Sequence, residues 1–313
     1  MKLNLSLRET YGKTLVKLGN EDKNIVVLDA DLSKSTMTCY FEEKFPNRFF
    51  EIGIAEQNMV SVGVGLALTG KTVFCNSFSV FITGRAYDQI RVGLALSQSN
   101  VKLVGSSAGL SDDDDGATHQ SIDDISIMRS LPNMVVLVPL DSIETKKMTE
   151  YISRYKGPVY MRINKQKLPI IFREEWDFEL GKIFKIKDGK DIAILSNGIM
   201  ISKSLAAAEV LEKMGISVSI FNVSTVKPLD KEKVKEIAEK FKKIIIAEEH
   251  SVIGGLGSAI IDALKSEKDL SITLIGIEDV FGRSACSYEE LLNYYGLSVQ
   301  NIINKAEDIY KKE

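Results

Sequence analysis

Short runs rich in Val and Ile alternate with longer stretches of helical periodicity along nearly the whole chain of 313 residues. This alternation is typical of α/β proteins, in which helices cover the faces of mainly parallel sheets. The apolar runs predict strands over residues 25–29, 49–53, 72–76, 101–105, 134–139 and 159–162, and again over 192–195, 218–222, 244–248 and 272–277. We therefore expect an α/β fold whose sheets are mainly parallel and flanked by helices.

One break in this alternation divides the chain in two. Residues 166–182 contain Pro169 and the charged group 173–175, and we interpret them as a linker. Helices are predicted on both sides of it, over 55–68, 80–96, 122–129 and 142–155 and over 201–214, 231–241, 258–265 and 288–295. We expect two domains, residues 1–165 and residues 183–313, each with its own mainly parallel sheet.

Composition excludes several classes of protein. Apolar residues make up 44% and charged residues 27%, as in ordinary globular proteins, and a net charge of -3 gives no basic footprint for nucleic acid. No apolar run reaches the ~18 residues needed to span a membrane, and the first residues lack the apolar segment of a signal peptide. Cys39, Cys75 and Cys286 are too far apart for a disulfide framework or a zinc site. We expect a cytoplasmic protein that binds neither nucleic acid nor membrane and supplies no metal ligands.

Polar residues that follow predicted strands give two candidate sites. Asp115 and His119 lie in an acidic loop between a strand and a helix, where open α/β sheets bind their ligands. A carboxylate and an imidazole there could move protons or bind hydroxyls, although a solvated acidic turn is the simpler interpretation. Glu56 begins a nearly all-apolar helix. Its carboxylate either stabilises the helix start or stands at the rim of a buried site with a shifted pKa.

Two further patterns are less specific. Phe78 and Phe81 are three residues apart, a spacing that indicates core packing more often than a ring-binding pocket. Residues 251–258 lead into a helix through several glycines, which superficially suggests phosphate binding. They lack the full dinucleotide motif, so a tight strand-to-helix turn is favoured.

Several unusual strings occur in one order and give the chain a family resemblance. They are FFEIGIAEQNM at 49–59, DGATHQ at 115–120, SLPN at 130–133 and EEHSVIGGLG at 248–257. Over essentially its whole length the chain resembles the C-terminal half of transketolase, as found in transketolases split into two chains. The resemblance implies a pyrimidine-binding domain for thiamine diphosphate, followed by the transketolase C-terminal domain. It implies an enzyme subunit that helps to transfer a two-carbon ketol unit from a ketose, commonly a phosphate, to an aldose.

The resemblance also implies roles on the cofactor side of the site. Glu56 matches the glutamate that hydrogen-bonds N1′ of the cofactor's aminopyrimidine, and it is the first expected catalytic residue. Phe78 and Phe81 match the aromatic pair of the pyrimidine pocket. Arg85 falls beside them and is expected to bind the cofactor too.

On the substrate side, the resemblance implies a second set of residues. Asp115 and His119 match residues that contact the sugar hydroxyls, and His119 is the second expected catalytic residue. Lys165 and Arg162 fall where the family places cations for the sugar phosphate. We therefore expect these four side chains to bind the sugar or sugar phosphate.

One family motif is missing from the sequence. The family binds the diphosphate and its Mg²⁺ through a Gly-Asp-Gly motif in an N-terminal domain, and no Gly-Asp-Gly occurs here. The resemblance therefore implies an N-terminal transketolase subunit as the partner, which ligates most of the thiamine diphosphate and Mg²⁺. An α2β2 heterotetramer with active sites at subunit interfaces is the natural closed assembly.

Departures from the family concentrate on the substrate side. Ser106 and Ser107 stand where a His is common, Asp113 and Asp114 replace the usual Gly-Glu, and Gly84 stands near an expected aromatic residue. These changes leave open an unusual, deoxygenated or unphosphorylated sugar. Three other functions also stay open: the β subunit of a 2-oxo-acid dehydrogenase, a deoxyxylulose phosphate synthase-like enzyme, and a non-catalytic assembly subunit that kept the fold.

Overall fold

The computed structural model describes residues 4–311, and every strand predicted from the sequence is present in it. The strands are β1 (Asn4–Ser6), β2 (Ile25–Asp29), β3 (Phe49–Glu51), β4 (Thr72–Phe78), β5 (Val101–Ser106), β6 (Val135–Leu137), β7 (Val159–Arg162), β8 (Lys167–Pro169), β9 (Phe184–Lys187), β10 (Ile192–Ser196), β11 (Val218–Asn222), β12 (Thr225–Lys227), β13 (Lys243–Ser251) and β14 (Ser271–Ile277). The α-helices are α1 (Leu7–Glu21), α2 (Ser33–Thr36), α3 (Cys39–Lys44), α4 (Glu56–Leu68), α5 (Tyr87–Gln89), α6 (Asp124–Ser130), α7 (Ser142–Arg154), α8 (Ile199–Lys213), α9 (Lys231–Lys240), α10 (Leu256–Leu264), α11 (Tyr288–Tyr294) and α12 (Val299–Tyr310).

The larger sheet belongs to the first half of the chain. Within the described residues it has seven strands in the order β12-β6-β7-β5-β4-β2-β3. All neighbours from β6 to β3 run parallel, and only β12 is antiparallel to its neighbour. The carboxyl ends of β2, β4, β5 and β7 therefore share one edge, which is where ligands bind in open α/β sheets.

The second half of the chain forms its own sheet. Its order is β14-β13-β10-β11-β9, parallel except for the edge strand β9. The two halves thus have the predicted architecture. They are linked by more than the connecting segment, because β12, from the second half, pairs with β6 of the larger sheet.

The segment 166–182, predicted as a linker, contains regular structure. Its strand β8 pairs antiparallel with β1, so that Leu168 lies opposite Leu5 near the start of the chain. Leu168 is buried at 2% exposure. The segment is therefore anchored to the first domain, while the domain limits at 165 and 183 stay a prediction.

The helix predicted over 80–96 is interrupted. It consists of two π-helical segments, Phe81–Arg85 and Ile90–Leu96, with the short α5 between them. A π turn widens the helix by one residue and is found most often at functional sites. Here the first π segment carries Phe81 at its start and Arg85 at its end, and it follows β4 at the shared edge of the larger sheet.

Buried apolar side chains join the two halves. One core cluster contains Leu15, Phe74 and Met161 of the first half together with Ile194 and Ile220 of the second. Such continuous burial is the main favourable contribution to folding, and it fixes the orientation of the two sheets. Loops that follow strands of the first sheet can therefore be held by groups from the second half.

Candidate active site

Glu56 lies at the first position of α4, beneath the shared edge of the larger sheet. Its side chain is only 1% exposed. Oε1 accepts a hydrogen bond from the Ser77 hydroxyl at 3.0 Å, and Oε2 accepts one from Nη1 of Arg85 at 2.7 Å. A carboxylate can accept about four hydrogen bonds, so Glu56 keeps acceptor capacity for another group.

Three rings converge near this carboxylate. The rings of Phe78 and Phe81 are nearly parallel, at 17° with centroids 6.0 Å apart. The His119 ring stands edge-on to both, with centroids 6.2 Å from Phe78 and 5.2 Å from Phe81. The Arg85 guanidinium lies over the Phe81 ring at 4.6 Å. The structure thus brings five predicted site residues into one cluster, since Glu56 is bonded to Arg85.

The loop between β5 and α6 carries the predicted sugar-binding groups. Asp115 is exposed and immediately precedes a 3-10 turn, Gly116–Thr118. His119 follows this turn, and its Nδ1 lies 2.9 Å from the Thr118 hydroxyl. Asp115 and His119 therefore stand on the same short turn, with His119 against the aromatic pair and Asp115 toward solvent.

The second domain holds this loop in place. The backbone N–H of Ala285 donates to the Asp113 carbonyl at 3.0 Å, and Nε2 of Gln120 donates to the Arg283 carbonyl at 2.9 Å. Gly116 has φ +75, and a Cβ there would meet the Ser284 hydroxyl. The close approach and the left-handed backbone both require glycine at this position.

A cavity of about 260 Å³ lies beside the loop, between the two domains. Its lining includes Val80, Ala117 and Phe281. Val80 and Ala117 neighbour Phe81 and His119 in the chain, so the cavity adjoins the aromatic cluster. A small polar molecule would fit beside the predicted site residues.

The two predicted cations have different surroundings. Nζ of Lys165 forms an ion pair with the Asp112 carboxylate at 2.9 Å. The Lys165 side chain as a whole is 28% exposed. Arg162 is 5% exposed, and its Nε donates to the Asp124 carboxylate at 2.8 Å. Its Nη2 donates to the backbone carbonyls of Ser121 and Glu249, at 3.1 Å and 2.8 Å. The structure therefore places Lys165 at the edge of the site and Arg162 in a buried tie between the domains.

Electrostatics agree with this placement of Arg162. Burial lowers the pKa of its guanidinium, but the facing carboxylates of Asp124 and Glu249 more than offset this and raise it above the ordinary value. Burial also raises the pKa of Glu249, which Arg162 opposes. Each group thus stabilises the charged form of the other, as expected for a structural ion pair.

The glycine-containing turn before α10 is not an open anion site. Both oxygens of the Glu248 carboxylate accept backbone hydrogen bonds there, from Leu256 at 2.7 Å and Gly257 at 2.8 Å. These N–H groups are the ones that a phosphate at a helix N-terminus would need. The sequence-based preference for a tight strand-to-helix turn agrees with this geometry.

Several side chains that position the candidate site are not apparent from the sequence. Ser77 is a polar residue inside the apolar strand β4, and that contrast is the signal that could have found it. Asp112, Asp124 and Glu249 act through partners that are distant in sequence. Lys165 follows Asp112 by 53 residues, and Arg162 is 38 residues from Asp124 and 87 from Glu249. No local pattern reveals such pairs.

The cluster fits an aminopyrimidine ring. Two nearly parallel aromatic side chains offer flat apolar walls, and a buried carboxylate offers a partner for a ring nitrogen. No group of three or more His, Cys, Asp or Glu residues within residues 4–311 is arranged to hold a metal ion. Across the same described part of the chain, none of the helices has the length and apolar character needed to cross a membrane.

Two family models match consecutive parts of the chain. The transketolase pyrimidine-binding domain matches residues 4–170, and the transketolase C-terminal domain matches residues 181–302. The chain therefore belongs to the transketolase family, as its sequence motifs predict. The family uses thiamine diphosphate together with a metal ion.

Several relatives match the chain over nearly their whole length. A protein of Methanocaldococcus jannaschii, provisionally named a transketolase C-terminal section, is 45% identical over 98% of this chain and 97% of its own length. The 6-deoxy-6-sulfo-D-fructose transketolase subunit SqwH of Clostridium sp. (strain MSTE9) is 38% identical over 98% and 95%. A solved structure of a split-gene transketolase, an inactive beta4 tetramer, has a TM-score of 0.90 at 42% identity and covers 98% of both chains. Among the functions left open by the sequence, the transketolase assignment is confirmed.

Proposed function

We propose that this chain is the pyrimidine-binding subunit of a thiamine diphosphate-dependent transketolase, active only together with a second subunit. The observation that carries the proposal is the buried carboxylate of Glu56 beside the parallel rings of Phe78 and Phe81. An aminopyrimidine needs a flat apolar slot and a hydrogen-bond partner at its ring nitrogen. These three side chains offer both.

The residues around the slot have distinct tasks in this proposal. Thiamine diphosphate, when bound, supplies the nucleophilic carbon and the electron sink for moving a two-carbon ketol unit from a ketose to an aldose. Glu56 holds a proton at the pyrimidine nitrogen N1′. Arg85 fixes the orientation of the Glu56 carboxylate. Asp115 and His119 bind sugar hydroxyls, and the imidazole can give or take a proton there.

The proposed partner is an N-terminal transketolase subunit that ligates the diphosphate and Mg²⁺. We infer a heterotetramer with two copies of each subunit. The similar split-gene transketolase is inactive as a beta4 tetramer, which supports a requirement for the missing subunit. The free cysteines Cys39, Cys75 and Cys286 support a reducing, cytoplasmic location.

The first part of the test is reconstitution. Ketol transfer is measured with the purified chain alone and with the N-terminal subunit added, each with thiamine diphosphate and Mg²⁺. We expect transfer only from the complex. Robust transfer by the chain alone contradicts the two-subunit proposal, and release of CO2 from pyruvate instead of ketol transfer contradicts the proposed reaction.

The second part of the test isolates the role of Glu56. In the reconstituted complex, Glu56→Gln should slow exchange of the cofactor C2 proton, followed by NMR, by ~10²–10⁴-fold, the usual contribution of a positioned acid or base. Glu150→Gln is the control. The Glu150 carboxylate lies outside the slot and pairs with Nζ of Lys17 at a distance of 2.8 Å. An unchanged exchange rate in Glu56→Gln means that Glu56 only stabilises the start of α4.

A further inference from the structure

The acidic run 112–115 is divided between interior and solvent. Asp112 is 1% exposed, whereas Asp114 and Asp115 are exposed. The Asp112 carboxylate accepts a hydrogen bond from Nζ of Lys165 at 2.9 Å, and the Lys165 side chain keeps 28% exposure. A buried carboxylate thus already pairs with the cation that the sequence assigns to a sugar phosphate.

This ion pair is fixed by neighbouring hydrogen bonds. The backbone N–H of Lys165 donates to the Ser111 hydroxyl at 3.0 Å, and Nε2 of Gln166 donates to the Ser111 carbonyl at 3.1 Å. The Asp112 carbonyl accepts a hydrogen bond from Nε2 of Gln120 at 3.0 Å. These bonds join the loop after β5 to the loop after β7, so Lys165 is held in the pair rather than mobile on the surface.

A second cation lies within electrostatic reach of the same carboxylate. Burial lowers the pKa of the Arg8 guanidinium, and Asp112 opposes this effect. Nη1 of Arg8 donates to the Ser35 carbonyl at 2.8 Å, while its Nε is buried without a hydrogen-bond partner among residues 4–311. The Glu9 carboxylate acts on Arg8 in the same direction, and the Asp113 carboxylate accepts a hydrogen bond from Nε2 of Gln166 at 3.2 Å beside the ion pair. The cations of this region therefore do not outnumber its carboxylates.

We propose that Asp112 is a specificity residue that makes the enzyme prefer sugars with a neutral distal end over sugar phosphates. The proposal rests on the ketol-transfer function proposed above. A phosphate monoester carries about −1.5 to −2 charges at pH 7, and the Lys165 cation that would face it is already paired with the Asp112 carboxylate at 2.9 Å. A phosphate beside Lys165 would also lie against the Asp112 carboxylate and be repelled by it. A hydroxymethyl or methyl end avoids both costs.

The experiment compares matched donors in the reconstituted complex. kcat/KM is measured for a ketose phosphate and for the same ketose without phosphate, with one aldose acceptor. Wild type should prefer the unphosphorylated ketose. Asp112→Asn removes the charge and keeps the shape, so it should raise the phosphorylated-to-unphosphorylated kcat/KM ratio by about tenfold or more. Asp177→Asn is the control, because it removes the same charge from an exposed aspartate that pairs with Lys147 at 3.6 Å outside this loop, and it should leave the ratio unchanged.

Inorganic phosphate provides a second readout that does not depend on turnover of a phosphorylated sugar. As a competitive inhibitor, it should bind the Asp112→Asn complex more tightly than wild type by a similar factor. The proposal is overturned if wild type prefers the phosphorylated ketose, or if Asp112→Asn leaves both the ratio and phosphate inhibition unchanged. A complex that transfers no ketol unit from either donor contradicts the proposed function itself, and the specificity proposal with it.

Discussion

Replacing Arg162 with Met tests whether this residue is a structural tie or a substrate-binding group. The Arg162 side chain is 5% exposed and Asp124 is fully buried, and they are joined at 2.8 Å. Nη2 of Arg162 also donates hydrogen bonds to the backbone carbonyls of Ser121 and Glu249. Met replaces the apolar stem of the side chain and removes all these donors. The buried Asp124 carboxylate then loses its charge partner and keeps only the Tyr160 hydroxyl, at 2.6 Å.

The expected loss of stability follows from this geometry. Breaking a buried ion pair by removing one partner typically costs about 3–5 kcal/mol. Taking about 4 kcal/mol and roughly 2 °C for each kcal/mol in a chain of this size, Arg162→Met should lower the Tm by about 8 °C. The measurement is differential scanning calorimetry of the purified chain at pH 7.

Two comparisons sharpen this test. Lys146→Met breaks an exposed pair, with Glu174 at 3.1 Å, and should cost less, on the order of 1 kcal/mol or below. Combining Arg162→Met with Asp124→Leu should recover much of the lost stability, because replacing both members of a buried pair by apolar residues is often nearly neutral. If Arg162→Met has the same Tm as wild type and instead raises KM for a phosphorylated sugar only, Arg162 is a substrate-binding residue and the structural argument is refuted.

Two further predictions concern groups outside the aromatic slot. Burial raises the pKa of the Glu144 carboxyl from 4.5 to about 8, so the folded chain holds this proton more tightly than the unfolded chain. Because of Glu144, the free energy of unfolding should fall as the pH rises from 4.5 to about 8. In Glu144→Gln, Tm measured across this pH range should fall less steeply than in wild type; an equal slope of Tm against pH contradicts this. Gly282 packs so closely on Gln120 that an added Cβ would overlap its amide oxygen. Gly282→Ala should displace the Gln120 amide, whose Nε2 donates to the Asp112 and Arg283 carbonyls at 3.0 Å and 2.9 Å. Loss of these bonds should loosen the loop that carries Asp115 and His119 and lower kcat/KM by about tenfold; an unchanged kcat/KM means that the loop is not positioned from this side.

The strands of both sheets are predictable wherever burial on two faces requires a continuous apolar run. The strands β1, β8, β9 and β12 are not, because none of them is a continuous apolar run and each pairs antiparallel with a strand that is distant in sequence. The interruption of the helix over 80–96 escapes prediction for a related reason. Its apolar pattern does not distinguish α-helical turns from π turns.

The sequence names the residues of the predicted cofactor side, and the structure brings them together. Glu56 lies in the distinctive string 49–59, whereas the spacing of Phe78 and Phe81 indicates a site only through the family resemblance. Arg162 shows where such reasoning stops. A cation at the end of a buried strand has the same local pattern whether it binds a phosphate or forms a buried ion pair, and its surroundings are set by Asp124 and Glu249, which are distant in sequence.

The second domain shapes the substrate side through the positions of two loops. Glu249, on β13, accepts hydrogen bonds from the Leu110 backbone N–H at 2.8 Å and from the Asn164 amide at 3.1 Å. One buried carboxylate of the second domain therefore anchors both the loop after β5 and the loop after β7. These are the loops that bring Asp112 and Lys165 together. Without Glu249 they lose their common acceptor, and the ion pair loses the support that holds its two members at a fixed distance. A domain that lies outside the aromatic slot thus holds the two loops that carry the predicted sugar-binding residues.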